Sequence, residues 1–405
     1  MGIARTSVLR DRNFLLLWGG NGISLMGTYG ARIAYPILAL EVSGSPVTAG
    51  WVSFASSGPS LLFYVHAGIV ADYADRRRTM LCCQLVGAAT SATLALWILV
   101  GAADLPEVLV AVALCEGVLF AYFSLAEVAA IRDLVPRAQY GLAFSLYEAE
   151  QPAAILVGRV LAAALLELAR WIPFAGNFLS YLLSLGTITA LRGDFGPVAA
   201  RSATGAESFR SRAREGFSWI RQSRFVAVST VATGATNALF QVTILLLMVE
   251  SRQEGRPEWV VGIILASAGA GGVVGAALAP RITRSFAPRR VFVAGLWLWA
   301  ATLLPMALTA NPVVLTLSWC GVGAVGTVVS VVNTLGRIGA VPPDALGRLV
   351  GLVSLITSGA VPLGAALGGY VIACWGVRAT AWALPAVVVV LAAGSGLVLR
   401  RSTAG

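Results

Sequence analysis

Long runs of hydrophobic residues, separated by short polar or Arg-containing stretches, extend over nearly the whole chain. A helix needs about 20 apolar residues to cross a bilayer. Six runs in the first half cover residues 13–40, 47–71, 79–101, 106–131, 139–167 and 171–191. Six more cover residues 225–249, 258–280, 290–309, 312–336, 346–374 and 377–399. The pattern therefore predicts an all-α integral membrane protein with twelve transmembrane helices.

A polar, Arg-rich segment at residues 192–224 divides these runs into six and six. Within this segment, apolar residues recur at helical spacing on the side opposite several arginines. These apolar residues are Phe209, Ala213, Phe217 and Ile220. This pattern is typical of a helix lying on the anionic inner leaflet, and a solvated linker is the alternative. We therefore expect two pseudo-symmetric six-helix bundles, at 1–191 and 225–405, joined by a cytoplasmic linker with an amphipathic helix.

The composition supports a membrane protein and fixes its predicted orientation. The chain is 58% hydrophobic and only 12% charged, against about 25% charged residues in soluble domains. All 29 basic residues are Arg, which gives a formal net charge of +10. Because they fall between apolar runs, we interpret them as topology signals and predict no nucleic-acid partner. With the N-terminus inside, 23 Arg lie in inside segments and 4 in outside loops, so we expect both termini in the cytoplasm and the protein in the plasma membrane.

Motifs for other chemistry are missing from the sequence. The five Cys lie in apolar stretches without the spacing of metal or disulfide sites. The chain has no Gly-x-x-x-x-Gly-Lys-Ser/Thr loop, so it does not predict ATP as the energy source. It also shows no catalytic nucleophile arrangement. We therefore predict no metal, no cofactor and no enzymatic activity.

Two loops at equivalent places in the two halves share a pattern of Gly followed by basic residues. The loop after the second run covers 68–78 and contains Gly68, Asp72, Asp75, Arg76, Arg77 and Arg78. The loop after the eighth run starts at Gly275, reaches Pro280 and Arg281, and continues to Pro288, Arg289 and Arg290. Internal repeats of this kind are how many secondary transporters are built.

The first of these loops resembles the signature of the major facilitator superfamily, Gly-x-x-x-Asp-x-x-x-Arg-Arg, with Gly68, Asp72, Arg76 and Arg77 at the matching positions. The resemblance covers essentially the whole chain. At finer grain the chain is similar to the enterobactin-exporter and macrolide-efflux branch of drug:proton antiporters. The stretches that carry this likeness are 12–18, 44–46, 133–136, 178–182, 237–241, 347–348 and 362–364.

The resemblance implies two bundles around a central cavity, which rock between inward-open and outward-open states. It also implies that Asp72 braces the inward-facing gate against the N-terminus of the eleventh span, near Gly347. Arg76 and Arg77 would meet carboxylates of the same bundle. The alternative is that Arg76, Arg77 and Arg78 only anchor the topology.

Six ionisable residues lie at bilayer depth, away from the ends of the predicted spans. Charges are costly there, by about 2.5–3.5 kcal/mol on insertion scales, so these residues are functional candidates. They are Arg32, Glu116, Glu127, Glu148, Glu150 and Arg159. In an antiparallel hairpin of spans 4 and 5, Glu116 is level with Arg159, and Glu127 is level with Glu148. We therefore expect an outer charged cluster of Arg32, Glu116 and Arg159.

A deeper carboxylate group would contain Glu127 and Glu148, with Glu150 nearby. Two carboxylates in a low dielectric cannot both ionise easily, so such a group could carry a coupling proton. Glu148 is the preferred carrier, and Glu116 is also a candidate. Static pairing or exposure to a wet cavity is the alternative.

The sequence departs from the family at two places, where it has Gly27-Thr28 in span 1 and Gly158-Arg159 in span 5. Facilitated or differently coupled transport therefore remains open.

His66 is a candidate proton relay, with a structural hydrogen bond as the alternative. Three polar residues could bind substrate or a neighbouring helix, and they are Asn237, Gln241 and Asn333.

We therefore expect a monomeric secondary active transporter that exports an amphipathic small molecule, such as a drug, siderophore or secondary metabolite, in exchange for protons. The substrate class and direction come from the family resemblance. The first alternative is a proton-coupled or facilitated uptake carrier for an anionic or zwitterionic solute, which Arg32 and Arg159 would suit. The second alternative is a membrane sensor or assembly partner built on a former carrier.

Overall fold

The structure is a computed structural model, and the part of the chain that it describes is helical, with no strand. It describes residues 8–101, 106–136, 139–193, 195, 217–338 and 343–400. Eight of the described helices are long and apolar enough to cross a membrane. The number of twelve spans stays a prediction.

A short 3-10 turn at Val8–Arg10 precedes the first long helix. The helices of the first half are α1 Arg12–Ser43, α2 Pro46–Tyr73, α3 Arg76–Leu99, α4 Pro106–Leu134, α5 Tyr140–Leu168 and α6 Ile172–Thr189. Those of the second half are α7 Arg224–Gln253, α8 Glu258–Ser285, α9 Pro288–Leu308, α10 Pro312–Ile338 and α11 Pro343–Arg400.

The last segment, α11, is two helical arms joined at a break. Gly376 has φ 77° and ψ 168° in its middle, a backbone conformation outside the helical region. At 1.5 Å per residue the 58 residues of α11 would measure about 87 Å if straight, far more than the roughly 30 Å of a bilayer core. The break coincides with the boundary between the last two hydrophobic runs, 346–374 and 377–399.

Short polar residues set several helix starts. The side chain of Asp11 accepts a hydrogen bond from the third residue of α1, and Asp75 does the same for α3. Ser223 caps α7 in the same way. These caps satisfy backbone N–H groups that have no partner within the helix. Gly44 ends α1 with φ 65°, a left-handed conformation that glycine adopts without steric cost.

The chain divides into two compact units. The first contains Met1–Gly44, Ala55–Ala203 and Pro257–Gly262, and the second contains Ser45–Phe54, Thr204–Arg256 and Ile263–Gly405. The start of α2 thus belongs to the second unit, where the Trp51 indole N–H donates to the Tyr370 hydroxyl at 3.0 Å. The predicted bundles, with boundaries at residues 191 and 225, stay a prediction.

In the first unit, α1 and α5 cross at two glycines. A Cβ built on Gly158 would lie 2.3 Å from the carbonyl oxygen of Met26, and one on Gly30 would lie 2.9 Å from the carbonyl oxygen of Gly158. Helices in lipid associate largely by such close backbone packing at small residues. Glycine at both positions is therefore required for this crossing.

Arg76 joins the connection between α2 and α3 to the end of α4. Its side chain is buried and forms an ion pair with Asp133 of α4. Its Nε also donates to the carbonyl oxygen of Ala71 at 3.1 Å, and its backbone N–H donates to the carbonyl oxygen of Phe195. This arrangement agrees with the expectation that Arg76 meets a carboxylate of its own half.

Among the described residues, Arg77 donates to the carbonyl oxygens of Ile188 and Thr189 at the end of α6. The expectation that it also meets a carboxylate stays a prediction. The last carbonyls of a helix lack partners and carry the negative end of its dipole, so they attract a cation. Gly68 is partly exposed. The side chains of Asp72 and of residues near Gly347 lie outside what the structure describes, and the gate role stays a prediction.

The linker is described only from residue 217. Residues 217–222 are helical, with Phe217 exposed and Ile220 buried in a small cluster with Val226, Leu349 and Val353. Phe209 and Ala213 lie outside the described residues. The expected membrane-facing stripe therefore does not include Ile220, which packs on α7 and α11 because an apolar surface is available there.

We expect Gly158→Ala to destabilise the protein, because the new methyl group would push against the backbone of α1. Overpacking typically costs about 1–3 kcal/mol. The measurement is the melting temperature of the purified protein in detergent. Gly186→Ala is the matched control, since its Cβ would meet no atom within 4 Å, and equal melting temperatures for the two variants would contradict the role of the crossing.

We expect Asp133→Asn to lower the melting temperature, because it leaves the buried Arg76 charge unpaired. Breaking a fully buried pair costs about 3–5 kcal/mol, and the 28% exposure of the Asp133 side chain reduces this cost. Removing the charge as well, in Arg76→Met with Asp133→Asn, should recover part of the loss. Asp75→Asn is the control: its ion pair with Arg78 is largely exposed and contributes about 0–1 kcal/mol. Equal effects of the two single substitutions would count against this account of Arg76.

Candidate functional site

A group of two carboxylates and one amide lies inside the first unit. Asn21 of α1, Glu127 of α4 and Glu150 of α5 are 3%, 2% and 6% exposed. Glu127 interacts electrostatically with Glu150, and Asn21 lies beside both. Glu150 also lies against α1, because a Cβ built on Gly22 would be 3.0 Å from its Oε1. We call Glu127 and Glu150 the buried acid pair.

Several polar atoms of this group lack a well-formed hydrogen bond. They are Nδ2 of Asn21, Oε1 of Glu127 and both carboxylate oxygens of Glu150. A buried polar atom without a partner costs about 1–3 kcal/mol. A carboxyl that carries a proton becomes a donor as well as an acceptor. One proton placed on the acid pair would therefore supply a donor where acceptors are in excess.

The carboxylate grouping differs from the expected one. The sequence predicted Glu127 beside Glu148, but the buried partner of Glu127 is Glu150, whereas Glu148 is exposed. The reason is helical phase: two residues apart on a helix means about 200° of rotation, so Glu148 and Glu150 point to opposite sides. Equal height in a hairpin does not determine which of two nearby carboxylates faces inward. Tyr147, which precedes Glu148 in α5, interacts electrostatically with Glu127, Glu148 and Glu150.

Glu116 is buried between α3, α4 and α6. Its Oε1 accepts hydrogen bonds from the hydroxyl of Ser91 at 2.9 Å and from Nδ2 of Asn177 at 3.0 Å. Asn177 also donates to Ser91 at 2.9 Å, so the three side chains form a closed network. The expected cluster with Arg32 and Arg159 is therefore only partly formed: neutral donors bind Oε1 of Glu116, its Oε2 has no hydrogen-bond partner, and Arg32 acts on it electrostatically.

The two arginines within the spans lie close to aromatic groups. The guanidinium of Arg32 is 4.3 Å from the ring centre of Phe120 and 5.2 Å from that of Tyr29. Arg159 interacts electrostatically with Tyr29 and Arg32, and Arg32 interacts with Glu116. A cation over an aromatic face is stabilised by about 2 kcal/mol when water is excluded. The arrangement offers positive charge beside aromatic surface.

Three amides in the spans were missed by reasoning from charges alone. They are Asn21, Gln84 and Asn177. Gln84 of α3 donates to the hydroxyl of Ser184 on α6 at 2.8 Å and lies 3.3 Å from that of Ser24 on α1. An amide within an apolar run is a usable signal, since it must find partners inside the protein. The sequence contained this signal in spans 1, 3 and 6.

His66 and Gln151 of the first unit are exposed, and each contacts a tyrosine hydroxyl. Nδ1 of His66 is 2.5 Å from the hydroxyl of Tyr122, and Gln151 donates to the hydroxyl of Tyr29. His66 therefore has the structural hydrogen bond that was the alternative to a proton relay. Gln151 adds a hydrogen-bonding group beside Tyr29, whose ring contacts Arg32.

The polar candidates of the second unit mainly connect helices. Asn237 donates to the carbonyl oxygen of Thr357 at 2.9 Å, and Asn333 donates to the hydroxyl of Thr233 at 3.0 Å. Gln241 is partly exposed. Asn237 and Asn333 thus use their amide groups within the protein, while Gln241 is the most accessible of the three.

Known proteins resemble the chain over most of its length. The multidrug efflux pump Tap of Mycolicibacterium fortuitum is 26% identical over 382 residues, which cover 90% of this chain and 88% of that protein. The uncharacterized MFS-type transporter y4rN of Sinorhizobium fredii (strain NBRC 101917 / NGR234) is 26% identical over 342 residues, or 83% and 82% of the two chains.

Solved structures share the fold. The crystal structure of the nucleoside transporter NupG matches with a TM-score of 0.77 at 16% identity, covering 96% of this chain and 99% of that one.

The family model described as transmembrane secretion effector matches residues 3–403. The chain therefore belongs to the transmembrane secretion effector family and is a membrane transporter of the major facilitator superfamily (MFS).

Proposed function

We propose that this protein exports an amphipathic small molecule, such as a drug, siderophore or secondary metabolite, in exchange for protons. It works by alternating access in the plasma membrane, as a monomer with both termini in the cytoplasm. The similarity to the multidrug efflux pump Tap supports export, and the Arg distribution supports the orientation. Gly68, Asp72, Arg76 and Arg77 belong to the gate in this proposal.

The buried acid pair is the observation that carries proton coupling. Glu127 and Glu150 share one site with Asn21, and three of their oxygens lack a well-formed hydrogen bond. Holding two negative charges there is costly, because each buried charge in a membrane helix costs about 2.5–3.5 kcal/mol even on insertion scales. The packed state therefore favours one bound proton, and its loss favours a state in which the pair is separated or hydrated.

The position of the acid pair would let a change in its protonation affect the packing of several helices. Asn21, Glu127 and Glu150 are on three different helices, α1, α4 and α5. Repulsion after proton loss acts directly on the packing of α5 against α1, beside Gly22. In the export cycle the proton enters from the outside, binds to the pair, and is released to the cytoplasm after the helices have moved.

The surface near Arg32 is the proposed substrate contact. Phe120 and Tyr29 supply aromatic area, while Gln151 supplies a hydrogen-bonding group. Binding sites for small molecules usually combine apolar and aromatic walls with a few polar groups. An amphipathic compound fits this combination better than a fully polar one does.

A second candidate function is uptake of a small anionic or zwitterionic solute, by proton coupling or facilitated transport. The observation that favours it is the positive charge of Arg32 and Arg159 beside the same aromatic surface. A guanidinium binds carboxylates and phosphates well. The direction of transport and the charge of the solute separate the two candidates.

We expect Glu127→Gln and Glu150→Gln each to abolish proton-driven accumulation, because glutamine keeps the shape of a protonated carboxyl but cannot release a proton. The measurement is uptake of the amphipathic dye ethidium into inside-out vesicles with an imposed proton gradient, together with lumenal pH. Gradient-driven accumulation should fall to the level of vesicles without a gradient. Exchange of dye across the membrane in the absence of a gradient should persist.

Glu107→Gln is the matched control, since Glu107 is an exposed acid at the start of the same helix as Glu127. Full coupling in both acid-pair variants would overturn the assignment. Loss of coupling in Glu148→Gln alone would return the role to the exposed carboxylate that the sequence favoured. Wild-type vesicles in which a panel of amphipathic dyes ignores the gradient would overturn proton antiport itself.

We expect Arg32→Gln to leave accumulation of cationic ethidium intact or increased, because the substitution removes a positive charge from the proposed contact surface. The same vesicles report the result, with Arg221→Gln on the exposed linker helix as the control. Retained dye export supports the exporter. A loss of uptake of an anionic solute from the outer face, with no dye export in the wild type, would support the second candidate.

A further inference from the structure

A small polar cavity lies inside the first unit, between α1, α3, α4 and α6. Its volume is about 30 Å³, which gives room for about one or two water molecules. Five of the side chains that line it carry oxygen or nitrogen, and they are Asn21, Ser24, Thr28, Gln84 and Tyr181. A buried water typically makes about three hydrogen bonds to such groups. The cavity therefore has both the room and the polar partners that water needs.

One end of this cavity reaches the buried acid pair. Eleven residues separate Glu116 from Glu127, so the two acids share one face of α4 at heights about 16 Å apart. The residues of α4 that line the cavity lie on this face between the two acids, and they are Leu119, Phe120 and Phe123. From α1, Asn21 lines the cavity and also lies beside both acids of the pair. Its Nδ2 is a donor without a well-formed hydrogen bond.

From the other end of the cavity, hydrogen-bonding groups continue to Glu116. The hydroxyl of Thr28 is 3.3 Å from that of Tyr181. Tyr181 lies beside Asn177, whose Nδ2 donates to Oε1 of Glu116 at 3.0 Å. Tyr181 also interacts electrostatically with Glu116 itself. The second oxygen of this carboxyl group, Oε2, has no well-formed hydrogen bond and is therefore available to give or take a proton.

The cavity walls carry groups that can pass a proton on. A hydroxyl donates one hydrogen bond and accepts others, as water does. Ser24 and Thr28 of α1 and Tyr181 of α6 bring three hydroxyls to the cavity. Gln84 of α3 holds the first of them in place, because its amide group lies 3.3 Å from the hydroxyl of Ser24 and is itself fixed by Ser184.

The surroundings of Glu116 suit a carboxyl group that gives up its proton. Arg32 acts on it electrostatically, and Ser91 and Asn177 donate hydrogen bonds to its Oε1. A positive charge and hydrogen-bond donors both stabilise the carboxylate that remains after the proton has left. The other titratable groups that act on Glu116 are Tyr35, Cys115 and Tyr181.

We propose that the cavity holds water and, with the three hydroxyls, forms a proton path between Glu116 and the buried acid pair. This inference rests on the proposed proton coupling at that pair. A proton leaves the carboxyl group of Glu116, each water or hydroxyl along the path accepts one proton and donates another, and Glu127 or Glu150 takes up the last. Glu116, left as a carboxylate, is protonated again from the outer side, which is nearer to it because α4 begins there in the predicted orientation.

The first test is hydroxyl-radical labelling of the full-length protein in lipid nanodiscs. X-rays generate the radicals from bound water, and mass spectrometry locates the oxidised side chains. Tyr181 lines the cavity and is 7% exposed, whereas Trp299 of α9 is 6% exposed and is not among the lining residues. We expect oxidation of Tyr181 and little oxidation of Trp299, because a buried side chain is labelled only where water lies beside it.

The second test is the rate at which lumenal pH rises when ethidium is added to inside-out vesicles with an acidic lumen. Thr28→Val keeps the branched shape of the side chain but removes the hydroxyl, and Thr28→Ser restores it. Thr93→Val is the matched control, since Thr93 is exposed on α3. We expect Thr28→Val to slow the response by about 100-fold, the lower end of the effect of a positioned proton-transfer group. Thr28→Ser and Thr93→Val should respond at about the wild-type rate, and Tyr181→Phe, which removes a second hydroxyl, should be slow.

Oxidation of Tyr181 only at the level of Trp299 would overturn the proton path, because the cavity would then take no water. Equal rates in Thr28→Val, Tyr181→Phe and Thr93→Val would also overturn it, while dye-linked proton movement in the wild type leaves the proposed antiport intact. Wild-type vesicles in which ethidium moves no protons would overturn the antiport itself, and the path with it.

Discussion

Every polar group within the membrane must find its partners inside the protein, because the hydrocarbon core offers none. Most of the described interior of the first unit follows from this constraint. Within the spans, Glu116 accepts hydrogen bonds from Ser91 and Asn177. At the start of α3, Arg76 meets Asp133 and Arg77 binds the end of α6. These interactions join α3, α4 and α6 more specifically than apolar packing alone would.

Against this background the buried acid pair stands out, because Glu127 and Glu150 bring like charges together and leave oxygens unsatisfied. Glu116, equally buried, has two neutral donors on its Oε1, although its Oε2 also lacks a hydrogen bond. What distinguishes Glu127 and Glu150 is that each has a second carboxylate beside it. This difference shows why burial by itself does not identify a coupling residue, since the partners of the carboxylate decide what the burial does.

The two halves use a shared loop pattern differently. In the first half Arg76 and Arg77 find a carboxylate and helix-end carbonyls within the protein. In the second half no Asp or Glu occurs from residue 259 to residue 343, and Arg281, Arg284, Arg289 and Arg290 are exposed. The shared loop pattern therefore contributes to the protein interior in the first half, whereas its arginines lie at the surface in the second half.

The sequence by itself determined the class of the molecule. Run length and composition predict membrane helices, because a helix that crosses lipid needs an apolar surface over its whole length. The signature from Gly68 to Arg77 identifies the superfamily. Both signals are local in the sequence and can be read without knowledge of the fold. Tertiary structure decided which side chains meet. Hairpin height placed Glu127 level with Glu148, but the orientation of α5 against α1 and α4 buried Glu150 instead. The sequence pattern predicts how deep each residue lies in the membrane, whereas the rotation of a helix about its axis, and so which side chains point inward, depends on the neighbouring helices.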